Sequence, residues 1–353
     1  MNTPKSRPRD LGIKIGQLEP GPQNAITDVP GVQVGHFTIN DDLHQPPIHT
    51  GVTVILPHSG NLYQEKVIAA VHTINGYGKA TGFEQVREMG TLETPVALTN
   101  TLNVGIAWDA LITYTLEQNA GIKDQVVSIN PVVGDCNDSR LNDIQGRHVH
   151  KEHVLAALSR ANSGTAEGNI GAGTGMVCYG FKGGIGTASR KVMGFTLGIL
   201  VVANFGSQKQ LMINGVPVGL ELEKMNAEEM DPGGSIIMVI AVDAPLTDRQ
   251  LGRIARRTAH GLARTGAIAS NQSGDFCIAF STAQRIVQKP ASQTCNLEFL
   301  CEADLTNFFQ ATIESTEEAV INALFAAEPI QLSDGLILTA LPVDQVLKIM
   351  KMD

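Results

Sequence analysis

The chain has 353 residues, 43% of them apolar and 17% charged, an ordinary globular balance with ample material for a core. Its formal net charge is −9, and no basic stripe is present, which argues against nucleic acid as a partner. No apolar run reaches the ~18–20 residues of a membrane span, and the polar start MNTPKSRPRDLGIKIG has no signal-peptide core, so no membrane association and a cytoplasmic location are expected.

Residues 19–35 are rich in Pro, Gly, Asn and Asp and read as turns joining short strands. GVTVILP (51–57) is a buried strand, and VIAAVHTI (67–74) fits either a strand or a helix. Helical spacing covers 104–118, and KEHVLAALSRAN (151–162) is a second helix. FTLGILVVAN (195–204) is a buried strand ending at Asn204. Residues 219–234 are acidic and polar and finish in Pro232-Gly233-Gly234, the pattern of an exposed, mobile segment. The sequence then switches abruptly to SIIMVIAV (235–242), a strongly β-favouring run. Thr247 and Gln250 fit a capping box opening a helix through Arg264. GDFCIAFST (274–282) is another strand, and Ser315 with Glu318 fits a second box opening a helix to Ala327. With 36 glycines, this mixture suits a layered α/β protein with tight turns.

Several chemistries find no motif. There is no G-x-S-x-G elbow, no P-loop and no H-E-x-x-H. GAGTGM (171–176) has Met176 where a dinucleotide fingerprint needs its third glycine. The five cysteines (136, 178, 277, 295, 301) are odd in number and scattered, as expected of reduced thiols, and Cys178 and Cys277 sit in apolar runs as core residues. His148, His150 and His153 lie close enough to consider a metal, but an exposed polar start to a helix accounts for them. No metal or organic cofactor is expected.

Ser235 stands where the composition breaks. A serine hydroxyl needs a base to take its proton, and no histidine is near it in sequence. Cutting the Gly234–Ser235 bond would supply one, because an α-amino group has an unperturbed pKa near ~8. The glycines permit a strained backbone there. On these residues alone, a plain turn into a strand is the better explanation of the pattern.

A wider resemblance weighs against the plain turn. NAITDVPGVQVGH (24–36), GVTVILP (51–57), LTNTLNVG (98–105), NPVVGDCNDSRLNDI (130–144), EGNIGAGTGMVCYGFKGGIGTASR (167–190), LGILVVANFG (197–206) and PGGSIIMVIAVDAPLTDRQLGRIARR (232–257) together resemble the family of L-aminopeptidase/D-Ala-esterase/amidases and β-peptidyl aminopeptidases. The likeness spans nearly the whole chain. It implies a four-layer α/β/β/α sandwich resembling N-terminal-nucleophile hydrolases with different connectivity. Residues 1–353 would form one catalytic unit that cuts itself between Gly234 and Ser235 into chains 1–234 and 235–353, assembling as a homo-oligomer of processed pairs. The substrate would be a small peptide, amino acid amide or ester of L-, D- or β-amino acids.

By the same match, Ser235 would be the nucleophile and Asn204 an oxyanion-hole amide; otherwise Asn204 only closes a strand. Ser273 and Asp275 would lie beside the Ser235 amine, where relatives commonly carry Ser and Glu; otherwise they form an Asx-type turn. Asp135 would bind the substrate's ammonium, or else serves as a loop carboxylate. Arg140 departs from the family's Asn-Asp-Gly-Tyr: it would donate to an oxyanion, clamp a substrate carboxylate or point to solvent. Ser189 has no activating pair and is structural. Two other functions remain: an acyltransferase like the self-processing ornithine acetyltransferases, which generally use Thr, and a small-molecule-binding homologue that has lost catalysis.

Overall fold

The computed structural model describes residues 6–164, 166–224, 234–288, 292–331 and 337–352. In chain order, β1 (Gln33–Asp41), β2 (Ile48–Leu56) and β3 (Glu65–Gly76) come first, followed by α1 (Phe83–Met89), β4 (Thr91–Leu92) and β5 (Val96–Asn100). Helix α2 (Val104–Gln118) leads to β6 (Val132–Cys136), and α3 (Lys151–Ser159) follows. Two short paired strands, β7 (Val177–Cys178) and β8 (Phe181–Lys182), precede β9 (Gly184–Val192) and β10 (Phe195–Asn204). Next come α4 (Val218–Glu223), β11 (Ser235–Val242), α5 (Asp248–Ala255), α6 (Thr258–Arg264) and β12 (Gly274–Val287). The final part holds α7 (Leu305–Ala326), β13 (Ile330–Gln331), β14 (Ile337–Leu338) and α8 (Val343–Ile349).

Two sheets carry the architecture: β1-β2-β5-β6, and β4-β3-β12-β11-β10-β9. Each has one parallel pair, β5 with β6 and β11 with β12. A parallel pair needs a crossover, which packs a helix on the sheet's outer face. Helix α2 makes the first crossover, and α5 with α6 makes the second. Side-chain packing follows from this. Val52, Val54, Ala97 and Val133 meet Ala107 and Leu111 of α2 and Val154 and Leu158 of α3 on one outer face. Val96, Leu98 and Val132 meet Val202, Ile237, Val239 and Ile278 between the sheets. On the far face Ile199, Ile236, Met238 and Ile240 meet Leu251, Ile254, Leu262, Phe308 and Leu324 of the helices. The result is the expected four-layer α/β/β/α sandwich.

Strand β11 shows why SIIMVIAV has no polar alternation. All eight of its residues are buried, with Ile236, Met238 and Ile240 toward the helices and Ile237, Val239 and Ala241 toward the other sheet. Each such aliphatic side chain contributes about 1.5–3 kcal/mol on burial. VIAAVHTI resolves as part of strand β3, and β12 runs on past Thr282 to Val287.

Three expectations need correction. The helix expected from Thr247 through Arg264 starts as foreseen, with the Thr247 hydroxyl accepting the Gln250 N–H at 3.2 Å. It then breaks into α5 and α6, where the Thr258 hydroxyl takes up the Ala255 carbonyl at 2.7 Å. Ser315 and Glu318 do not open a helix but lie inside α7. Leu305, Phe308 and Ala311 already bury against the core, and Glu318 reaches Arg190 instead of Ser315. The segment expected to be exposed from 219 begins inside α4, with Gly219 and Leu222 buried, while residues 225–233, including Pro232 and Gly233, lie outside the described residues.

Helix α7 can lie directly on β9 because Gly186 has no side chain. A Cβ there would sit 1.9 Å from the Ala319 carbonyl oxygen. Arg190 of β9 is fully buried, with its guanidinium 3.1 Å from Glu314 and 2.5 Å from Glu318. Arg9 adds a second contact to Glu318 at 2.5 Å. Removing one partner of such a buried cluster strands its opposite charges. Arg190→Met is therefore expected to destabilise the protein by about 3–5 kcal/mol in denaturant unfolding, and a loss under about 1 kcal/mol would contradict this role.

Candidate active site

The second sheet brings three strand ends together. Ser235, first in β11, pairs with Asn204, last in β10, and with Gly274, first in β12. Alternation along the strands turns Ser235 and Asn204 inward, on the same side as Ile237 and Val202. Ser235 is 4% exposed. Its hydroxyl donates to the Gly234 carbonyl at 2.8 Å and accepts the Gly274 N–H at 3.4 Å. Gly234 has no room for a side chain: a Cβ would lie 2.6 Å from the Phe205 Cα and 2.8 Å from the Asn204 carbonyl oxygen. The Asn204 amide is held at both ends, accepting the Val177 N–H and donating to the Asn137 carbonyl, each at 2.8 Å. Its second N–H is left for a further acceptor.

Ser273 and Asp275 approach from behind. Asp275 alternates with Gly274 and so shares the helix-facing side with Cys277 and Ala279. The Ser273 hydroxyl donates to Asp275 Oδ1 at 2.6 Å, and Oδ2 is buried without a hydrogen-bond partner. Burial pushes the Asp275 pKa up to about 6, against the Ser273 hydroxyl and the nearby Ile236 N–H. Both residues line a small rear cavity with Phe205, Gln210 and Ile268. The Ser235 main-chain nitrogen lies in the plane of the sheet, between this carboxylate behind and the hydroxyl's cavity in front.

The front cavity has a volume of about 200 Å³. Ser235, Gly234 and Asn204 form one wall, and Asp135, Arg140, Asn137 and Ser139 another. Asp135 is 2% exposed. Its Oδ1 accepts the Lys79 N–H at 2.6 Å and its Oδ2 accepts the Thr101 hydroxyl. Burial pushes its pKa upward, against the Thr101 hydroxyl and the Lys79 N–H. Arg140 is half-buried and lines this cavity.

Sequence reasoning did not single out four further lining residues: Tyr77, Lys79, Thr101 and Gln272. Thr101 lies in the matched stretch 98–105, while Tyr77, Lys79 and Gln272 come from segments remote in sequence and carry no motif. It also missed Asp138, buried beneath the Arg140 loop, which accepts the Thr50 hydroxyl at 2.6 Å and the Asn142 amide at 3.1 Å. Asp138 lies two residues past the end of β6, in the matched stretch 130–144. The other candidates fall elsewhere. Ser189 is buried and donates to Asp28 at 2.6 Å. Cys178 and Cys277 are buried, and burial pushes both thiols up to about 12. His150 and His153 face each other at 5.3 Å, with His153 stacked on Phe37. His148 instead meets Asp143 at 2.9 Å and, with His44, makes the one group among the described residues whose donors could share an ion. No helix among the described residues is long and apolar enough to cross a membrane.

The four layers and their connections place the fold among the variants of the N-terminal-nucleophile hydrolase sandwich. Comparison with known proteins is specific: the model of peptidase family S58 matches residues 24–337, and the chain belongs to that family. It is 40% identical to the β-peptidyl aminopeptidase BapA of Sphingosinicella microcystinivorans, over 98% of this chain and 92% of that one. The crystal structure of the PH0078 protein from Pyrococcus horikoshii superposes with a TM-score of 0.92 at 49% identity, covering 98% and 99% of the two chains. The L-aminopeptidase D-Ala-esterase/amidase of Ochrobactrum anthropi, described as a new variant of the Ntn hydrolase fold, superposes at 0.90 with 40% identity, covering 99% and 98%.

The Asp275 geometry carries a pH signature. Its folded pKa of about 6 lies above the ordinary value of 3.8, so between those values the folded chain binds more protons. Stability from this group therefore falls as pH rises from about 4 to 6 and stays low above. In a Ser235→Ala chain, Asp275→Asn is expected to stabilise by about 1–3 kcal/mol at pH 8 and by nothing near pH 3.5. Unfolding midpoints at the two pH values check this, and an equal effect at both would contradict it.

Proposed function

We propose that the chain is a self-processing serine aminopeptidase with Ser235 as its N-terminal nucleophile. The observation that carries this is the Ser235 hydroxyl bonded at 2.8 Å to the carbonyl of the bond that has to break, at a strand head between Asn204 and Gly274. In processing, Oγ attacks the Gly234 carbonyl carbon, the C–N bond breaks, and the nitrogen takes a proton. Water then hydrolyses the ester, leaving a Gly234 carboxylate and a free Ser235 amine. The partnerless Asp275 Oδ2, behind that nitrogen, receives the new ammonium, and Ser273 orients the carboxylate.

In turnover, the neutral amine takes the Oγ proton and Oγ attacks the carbonyl of the substrate's first residue. The second Asn204 N–H, with the Gly274 N–H nearby, stabilises the oxyanion. The leaving amine collects the proton, and water, activated by the same amine, releases the acyl group. Asp135 binds the substrate's ammonium, which limits cleavage to one residue from the end. The relatives' names supply the substrate range: L-, D- or β-aminoacyl peptides, amides and esters. No cofactor takes part, and the processed pairs are proposed to form a homo-oligomer.

A panel of L-, D- and β-aminoacyl amides tests the activity. At least one should be hydrolysed, its N-acetyl form should not, and Ser235→Ala should lower kcat by about a thousandfold or more. Asp135→Asn should lower kcat/KM about 10–150-fold, the worth of one charge-assisted hydrogen bond. Turnover by Ser235→Ala at the wild-type rate would exclude this nucleophile, and equal cleavage of N-acetyl substrates would exclude ammonium recognition.

A further inference from the structure

We propose that His44, Asp143 and His148 form a binding site for one divalent transition-metal ion of the zinc class, which clips the β1–β2 connection to the loop 143–148. The site stands apart from the aminopeptidase reading, since none of the three residues lines the cavity at Ser235. Their donor atoms all lie within 4.8 Å of one another, and all three side chains are half-buried. Two imidazoles and a carboxylate suit zinc, cobalt or nickel, whereas magnesium and calcium sites are built from oxygens. Three protein donors leave a position for water on the exposed side.

The two loops set the group in advance. The His44 ring donates from Nδ1 to the Pro46 carbonyl at 2.7 Å, so Nε2 of the neutral ring keeps its lone pair for a metal. The next carbonyl, of Pro47, accepts the Asp143 N–H at 2.8 Å and joins the loops. After Asp143 the chain makes one tight turn, Ile144–Gly146, and Arg147 takes φ 51°. That reversal brings His148 Nε2 to Asp143 Oδ2 at 2.9 Å. Gly146 leaves room for the pair, because a Cβ there would lie 2.2 Å from His148 Nε2 and 2.5 Å from Asp143 Oδ2. His44 stands edge-on to His148, with ring centroids 5.0 Å apart. Zinc bonds of ~2.0–2.2 Å put tetrahedral donors about 3.3–3.6 Å apart. The His148–Asp143 pair therefore opens by about half an ångström as the ion replaces the proton between them. His44, in the largely exposed connection between β1 and β2, supplies the remaining movement. His153 is engaged elsewhere: its Nδ1 accepts the His150 N–H at 3.1 Å and its ring stacks on Phe37.

The test is calorimetric titration of the full chain with Zn²⁺. Cys295 and Cys301 are exposed and would take zinc themselves, so both are first changed to Ser. One ion should bind per chain. His44→Ala and His148→Ala should each weaken binding by at least about tenfold, the lower bound for losing even an outer-shell partner, while His150→Ala should leave it unchanged. Zn²⁺ should also raise the Tm of the parent but not of His44→Ala, a change in an exposed connection that keeps the fold if His148→Ala disturbs its turn. Co²⁺ in place of zinc should give a visible absorption band that both variants lose and that equimolar Mg²⁺ does not displace. Absence of saturable binding at one ion per chain, or an affinity unchanged in both His44→Ala and His148→Ala, overturns the proposal. Neither readout depends on turnover, so the aminopeptidase reading stands or falls separately.

Discussion

The register at one end of the second sheet is the constraint on which the site depends. Ser235 has Asn204 directly across one ladder and Gly274 across the other. A slip of one residue in either would turn the hydroxyl to the helix side and bury it among aliphatic side chains. The register is held by apolar alternation along β11, whose two faces fill two different cores. Packing on both sides of one strand therefore fixes where a single hydroxyl points.

That strand end also separates two chemical tasks. The hydroxyl looks into a polar cavity that reaches Asp135, while the carboxyl of Asp275 sits on the opposite face with an oxygen left unpartnered. A buried carboxylate oxygen without a partner costs stability, and such a cost persists where it serves function. The rest of the fold compensates with satisfied networks. Arg190 is matched to Glu314 and Glu318 beneath β9, and Asp138 is matched to Thr50 and Asn142 beneath the Arg140 loop.

Much of the layering was legible in the sequence, and for identifiable reasons. Runs such as FTLGILVVAN and SIIMVIAV are apolar at nearly every position, with Thr196, Asn204 and Ser235 the exceptions, as expected of strands covered on both faces. The sandwich itself came from family resemblance, since alternating elements alone fit many α/β arrangements. Ser315 misled because its local pattern matches a cap while the buried Phe308 and Ala311 extend the helix upstream. The site was half legible. Ser235, Asn204, Asp135 and Arg140 lie in the matched stretches, Ser273 and Asp275 stand at the head of the GDFCIAFST strand, and the fold gathers them around one strand end. Tyr77, Lys79 and Gln272 reach the cavity only through tertiary packing, and no local pattern announces that.

The central claim is that the Gly234–Ser235 bond is cut to expose an amine. Intact mass under denaturing conditions, with N-terminal sequencing of any fragment, tests it most directly. The account predicts two chains, residues 1–234 and 235–353, the second beginning Ser-Ile-Ile-Met. A single chain of 353 residues that stays uncut on incubation would contradict it, because Ser235 would then have no amine to act as its base.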